Sequence, residues 1–224
     1  MKLDARQKLF AVLVALFVTS LIVGDLIGGK LYDVGLEIGG LPLGISVGMI
    51  PFPIVFLLTD LINEFYGKKA ARFVTLLGFA MAWFTITVLQ LAVMVPWPES
   101  AFQASYDTIF ASSQKILFAS TIAYLTAQLI DIAIFHFIKR KLGERLLWLR
   151  ATGSTVVSQL VDTVVIGFIV WSSTKTIPEI LGIVLTSYIA KVVVAIGATP
   201  LIYAGHALVE RGLGIVPVLP DKEE

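Results

Sequence analysis

The stretch Pro51-Phe-Pro-Ile-Val-Phe-Leu-Leu-Thr-Asp-Leu-Ile-Asn-Glu-Phe-Tyr-Gly-Lys-Lys-Ala-Ala-Arg72 decides how this chain is read. It starts as an apolar run of membrane grade, takes on Thr59, Asp60, Asn63 and Glu64, and closes with Lys68, Lys69 and Arg72. Helical positions three and four apart share a face, so Phe56, Asp60, Asn63, Glu64 and Gly67 fall on one stripe. A carboxylate at the bilayer centre costs about 2.5–3.5 kcal/mol on insertion scales. A chain that carries such groups uses them to bind something polar or to move protons. The plainer alternative places Glu64 at the interface, capping the helix or paired with Lys68 one turn on.

Outward from that stretch the chain stays apolar. Its 224 residues are 57% hydrophobic and 15% charged, against about 45–50% and about 25% in soluble domains. The reading is an all-α integral membrane protein, a single domain over residues 1–224. Six spanning segments are expected, near Leu9–Gly29, Ile45–Tyr66, Ala70–Val95, Ile116–Ile138, Thr152–Trp171 and Pro178–Leu208. The first apolar run follows Lys2, Arg6 and Lys8 but has no Ala-x-Ala cleavage site, so it reads as a retained helix.

Thirteen basic residues fall on one side of this arrangement: Lys2, Arg6, Lys8, Lys68, Lys69, Arg72, Lys139, Arg140, Lys141, Arg145, Arg150, Arg211 and Lys222. Only Lys30, Lys115 and Lys175 fall on the other, and Lys191 lies within the last helix. The positive-inside rule then makes both termini cytoplasmic. In the first external loop, Val34, Leu36 and Ile38 alternate, Gly39-Gly40 interrupts, and Leu41, Leu43 and Ile45 alternate again, the pattern of a short β-hairpin over the outer mouth, with an irregular re-entrant loop as the alternative. In the loop 96–114, Phe102, Tyr106 and Phe110 recur every four residues, which predicts an amphipathic helix on the membrane surface or over the entrance.

The remaining polar groups are few. Tyr124, Gln128 and Asp131 share a face of the fourth span, and Gln159 and Asp162 a face of the fifth. The Gln-Leu-x-Asp pattern recurs 31 residues on, without any longer self-match. Tyr188 and Lys191 lie together on the last span, and Asp25 and Lys30 near the outer end of the first. The candidate site is Asp60, Asn63, Glu64, Tyr124, Gln128, Asp131, Gln159, Asp162, Tyr188 and Lys191, converging on one midplane cavity, where transporters place their sites. The set suits a planar, donor-rich heterocycle. A carboxylate accepts two parallel hydrogen bonds from an amidine-like edge, an amide matches a lactam, and aromatic rings stack. Pairing of Lys191 with Asp131 or Asp162 as interhelical glue is the competing use.

Other classes are weakly supported. There is no cysteine and there are two histidines, so neither a disulfide nor a metal site is expected. Gly153-Ser154 with His136 or His206 falls short of a serine-protease pattern, because no Gly-x-Ser-x-Gly is completed; both histidines read as interfacial. No phosphate loop or dinucleotide fingerprint is present, so no enzyme activity and no cofactor are expected. The net charge of +1 by itself argues neither way about nucleic acid, and no such partner is expected.

The block Leu57-Leu-Thr-Asp-Leu-Ile-Asn-Glu-Phe-Tyr-Gly-Lys-Lys-Ala-Ala-Arg72 resembles the signature of the queuosine precursor transporter family, also called the vitamin uptake transporter family. The resemblance continues in Ala127-Gln-Leu-Ile-Asp131, Trp148-Leu-Arg150, Ser154-Thr155, Ser158-Gln-Leu-Val-Asp-Thr163, Lys191 and Thr199-Pro-Leu-Ile-Tyr203. It implies uptake of 7-cyano-7-deazaguanine, with 7-aminomethyl-7-deazaguanine as a further substrate, across the bacterial inner membrane. It also implies a six-helix fold similar to the substrate-binding subunits of energy-coupling-factor vitamin transporters, and an amide where this chain has Asp25. Such a subunit, docked on a separate ATPase module, is the alternative to a proton-coupled secondary transporter. Lipid and a deazapurine are the expected partners, and a homodimer is open.

Overall fold

The computed structural model describes residues 3–28, 30–38, 41–96, 101–111, 114–143, 146–173 and 175–218. Among the described residues six α-helices carry the fold: α1 (Ala5–Ile27), α2 (Phe52–Met94), α3 (Ala101–Ala111), α4 (Gln114–Leu142), α5 (Leu147–Trp171) and α6 (Ile177–Ala207). Strands β1 (Leu31–Ile38) and β2 (Leu41–Ser46) pair antiparallel between α1 and α2, with an irregularity between Asp33 and Glu37. Gly39-Gly40 lies outside the described residues, as do Lys2, Arg145 and Lys222 from the charge count. Five helical stretches among the described residues are long and apolar enough to cross a membrane. The chain is a multi-pass membrane protein.

Local chemistry sets where these elements begin and break. Asp4 caps α1, accepting Gln7 N–H at 2.7 Å, while the Gln7 side chain accepts Asp4 N–H at 3.2 Å. That reciprocal box satisfies donors that no turn of helix can reach, and α1 therefore begins before Leu9. At 43 residues α2 would run about 64 Å if straight, twice a hydrocarbon core of about 30 Å. It is not straight: Gly67 sits at φ 81°, ψ 178° and breaks it. This conformation is open to glycine and strained for other residues. The sequence predicts a loop from Gly67 to Lys69; the structure makes the reversal in that one residue.

Neighbouring contacts give the direction of the two arms of α2. The Arg6 guanidinium donates to Phe65 O, and Tyr66 Oη donates to Arg6 O, while Gly24 packs on Pro51. So α1 runs antiparallel to the arm 52–66. Further on, Phe17 and Leu21 meet Gly78, and Asp25 and Leu26 meet Ala82, Thr85 and Leu89, so α1 runs parallel to the arm 68–94. The arms are antiparallel. A Cβ on Gly78 would stand 2.9 Å from Tyr124 Oη and 3.0 Å from both Phe17 and Leu21; glycine lets α1, α2 and α4 close up here.

Every residue from Leu58 to Phe65 is buried, so the end of the first arm is enclosed on all sides and is the axis of the bundle. Leu13, Phe17, Leu58, Ile62, Phe65, Val74 and Ile132 form the core around it. Phe73, Phe84, Leu91, Leu185 and Val193 are exposed, giving an apolar exterior. Trp83 meets Phe118 edge to face at 5.8 Å, joining the second arm to α4. On α3, Phe102, Tyr106 and Phe110 stack in succession, with centroids 6.3 and 4.7 Å apart. The chain returns to its start: Val218 N–H donates to Glu64 O at 2.9 Å, beside Phe65, where Arg6 docks. The two described ends meet at the same end of the bundle.

Candidate functional site

A cavity of about 340 Å³ lies in the half of the bundle away from the chain ends. It is walled by the last turns of α1, the start of α2, the upper half of α4, the last turns of α5 and the middle of α6. Asp25, Phe52, Tyr124, Gln128, Gln159, Asp162, Trp171 and Lys191 line it. Its volume falls in the small-molecule range of about 300–1,000 Å³.

The polar groups of this cavity differ in what they already hold. Asp162 pairs with the Lys191 ammonium, which also lies 5.7 Å from the Phe52 ring centre. Asp25 Oδ1 accepts the Ser120 hydroxyl at 2.9 Å. Tyr124 Oη donates to Thr75 O at 3.3 Å, one helix away. Gln128, 1% exposed, has neither amide atom hydrogen-bonded among the described residues, and Gln159 Oε1 is also unpaired. Buried amides of this kind are completed by a ligand or by water, since leaving them unmet is costly. The recurring Gln-Leu-x-Asp pattern thus sends both glutamines to the cavity and separates its aspartates: Asp162 lines the cavity and Asp131 does not.

Asp60 and Asp131 lie deeper. Asp60 borders a slot of about 20 Å³ between α2, α5 and α6, and neither of its oxygens has a hydrogen-bond partner among the described residues. Phe52 and Phe56 line both this slot and the large cavity, so they partition the two. Asp131 Oδ1 accepts from Ser158 at 3.1 Å and from Thr155 at 3.4 Å, and Oδ2 is unpaired. Tyr188 lies outside the cavity and donates to Val156 O at 3.2 Å.

Asn63 and Glu64 belong to a third layer, toward the chain ends. Glu64 Oε1 accepts from the Arg150 guanidinium of α5 and stands 3.6 Å from His206 Nε2 of α6; its Oε2 lies 3.4 Å from Lys139 Nζ of α4. The Glu64 carbonyl also accepts from Lys139, at 3.3 Å. Asn63 Oδ1 meets His136 Nε2 at 3.0 Å. Lys139 and Arg150 are 0% and 1% exposed. The sequence reading leaves both cations in the connection between the fourth and fifth spans and gives Lys68 only as an alternative partner for Glu64; the structure instead buries both cations against Glu64. Helices α4 and α5 extend to Leu142 and back to Leu147, which draws these cations inside, where Glu64 compensates their burial. The signal for Arg150 was the Trp-Leu-Arg run itself; nothing marked Lys139 within its basic cluster.

Among the described residues, no three of histidine, cysteine, aspartate and glutamate are grouped to hold a metal ion. The ten candidate residues thus divide by depth. Tyr124, Gln128, Gln159, Asp162 and Lys191 line the cavity, Asp60 and Asp131 lie beneath it, Asn63 and Glu64 lie in the ion cluster, and Tyr188 is engaged with backbone.

Residues 46–205 match the family model described as "Putative vitamin uptake transporter". A Bacillus subtilis protein named "Probable queuosine precursor transporter" is 31% identical over 167 residues, 73% of this chain and 72% of that one. The Escherichia coli "Queuosine precursor transporter" is 29% identical over 188 residues, 81% of each chain. No solved structure matches the chain. The match covers all ten candidate residues, from Asp60 to Lys191, and the relatives are named as transporters. The chain belongs to the vitamin uptake transporter family.

Proposed function

We propose that this chain, as one domain, imports a queuosine precursor across the bacterial inner membrane: 7-cyano-7-deazaguanine or its 7-aminomethyl derivative. The observation that carries the reading is the unmet Gln128 amide and the unmet Gln159 Oε1, facing one cavity with an ion pair and aromatic walls. A deazaguanine presents donors and acceptors in one plane. Gln128 and Gln159 match its lactam and amidine atoms, Asp162 takes its N–H groups when Lys191 yields, and Phe52, Tyr124 and Trp171 supply faces for the ring. The names of the relatives agree with this cargo.

The described ends lie at the same end of the bundle, which supports an even number of crossings, six when the antiparallel arms of α2 are counted as two. The distribution of basic residues supports a cytoplasmic position for that end. The cavity then faces outward, with Ser46, Gly48 and Met49 in its wall, and Asn63 and Glu64 belong to the closed inner gate. Asp60 and Asp131 are the groups for proton exchange: carboxyl oxygens without partners, lying between cavity and gate. If uptake driven by an imposed pH gradient is unchanged in both Asp60→Asn and Asp131→Asn, that role is wrong.

The test of the whole reading is the purified chain alone in proteoliposomes with labelled 7-cyano-7-deazaguanine. Uptake without ATP or another protein supports a secondary transporter. Binding that becomes uptake only with an added ATPase module would make the chain an energy-coupling-factor substrate-binding subunit. No binding to folded protein would remove the deazapurine.

A further inference from the structure

The two carboxylates of the cavity stand in different electrical surroundings. Asp162 has its counter-charge in Lys191. Asp25 has the Ser120 hydroxyl, and no cation is paired with it among the described residues. A hydroxyl satisfies one oxygen and leaves the charge. With both acids ionised, the cavity carries two negative charges against one positive charge. A carboxylate in such a wall is stabilised by a ligand that brings its own cation.

Position along α4 says where that cation would sit. Ser120, Tyr124 and Gln128 follow one another at intervals of four residues on one helix face. Ser120 fixes Asp25 at one end; Gln128 lies about 12 Å along the axis at the other, joined there by Gln159 from α5. One end of the cavity offers a carboxylate, the other the unmet Gln128 amide and the unmet Gln159 Oε1, and Tyr124 stands between them. In a deazaguanine the N1–H and 2-amino edge lies on the far side of the bicycle from the substituent at carbon 7. A ligand with its ring edge on the glutamines therefore directs that substituent toward Asp25.

We propose that Asp25 is a specificity-determining residue, selecting deazaguanines whose carbon-7 substituent is cationic by seating the ammonium against the Asp25–Ser120 pair. This rests on the deazapurine reading of the cavity. It orders the two candidate cargoes, with the aminomethyl compound above the nitrile. The same cavity without the Asp25 charge would not distinguish them by charge, because Asp162 is already neutralised by Lys191.

The experiment is calorimetric titration of the full-length purified protein with 7-aminomethyl-7-deazaguanine and, separately, 7-cyano-7-deazaguanine at pH 7. The wild type is expected to prefer the ammonium compound by roughly ten- to hundred-fold, the range of a charge-assisted hydrogen bond. In Asp25→Asn the ratio of the two affinities is expected to fall toward one, and in Asp25→Glu to stay in favour of the ammonium compound. A wild type that binds the nitrile as tightly or more tightly overturns the proposal without any variant. So does an undiminished preference in Asp25→Asn. Either result leaves the deazapurine reading standing; failure of both compounds to bind folded wild type overturns that reading and this proposal together.

Discussion

Glu64 on α2 receives Arg150 on α5 across 86 residues of sequence, with both side chains 1% exposed. Removing one partner of such a pair strands the other charge in a dry interior. Glu64→Gln strands both Arg150 and Lys139 and should lose about 3–5 kcal/mol of stability. Arg150→Ala, which leaves Glu64 with Lys139 and His206, should lose less. The two changes combined should lose less than their sum, because Arg150 is then no longer stranded. Thermal melting in detergent, comparing single and double variants, measures this. A double variant that loses the full sum of the two single losses would mean that Glu64 and Arg150 are not coupled.

Gln128→Ala and Gln159→Ala should weaken binding of a deazaguanine by roughly five- to hundred-fold, because each leaves a ligand group unmet in a desolvated site. Neither amide bonds the protein through its unmet atoms, so the melting temperature should hold or rise. A binding titration beside a melting curve separates the two effects. A fall in melting temperature without a fall in affinity would assign these glutamines to structure.

Asp162 and Lys191 answer each other between α5 and α6 at the cavity wall. Asp162→Asn should weaken folding more than Asp162→Asn combined with Lys191→Met, since the double variant leaves no unpaired ammonium near Phe52. The double variant should nonetheless lose ligand. Melting and titration of the two proteins check both halves of this expectation.

Gly67→Ala should lose about 1–3 kcal/mol, because φ 81° with ψ 178° strains any residue with a Cβ. The loss should come without change in ligand affinity if the turn only joins the arms. Melting curves of this variant beside Gly78→Ala, where a close contact is at stake and not a dihedral angle, distinguish strain from crowding.

The segments that cross the bundle were legible because lipid demands long apolar runs, and little else in a sequence satisfies that demand. The polar stripe Asp60, Asn63, Glu64 was legible for the same reason: in such a run every carboxylate stands out. Its division into layers was not, because depth along a helix depends on neighbours that sequence spacing does not name. Lys139 and Arg150 show the limit most clearly. A basic residue near a helix end reads as solvated, and the partner that brings it inside, Glu64, lies on another helix. Gly67 was hidden similarly, since Lys68 and Lys69 after it look like a loop. The repeated Gln-Leu-x-Asp pattern gave both glutamines of the cavity but paired Asp131 with the wrong layer.

One carboxylate, Glu64, is answered from three helices, and its carbonyl ties down the returning chain at Val218. Neither α4 nor α5 can swing away alone without stranding a buried cation, so on the reading proposed above the two helices move together when the inner side opens. A membrane that stores a voltage tolerates a carrier only if it never opens to both sides together. Shared dependence on a single acidic group is a way to make leakage rare while leaving the wall above it free to rearrange around cargo.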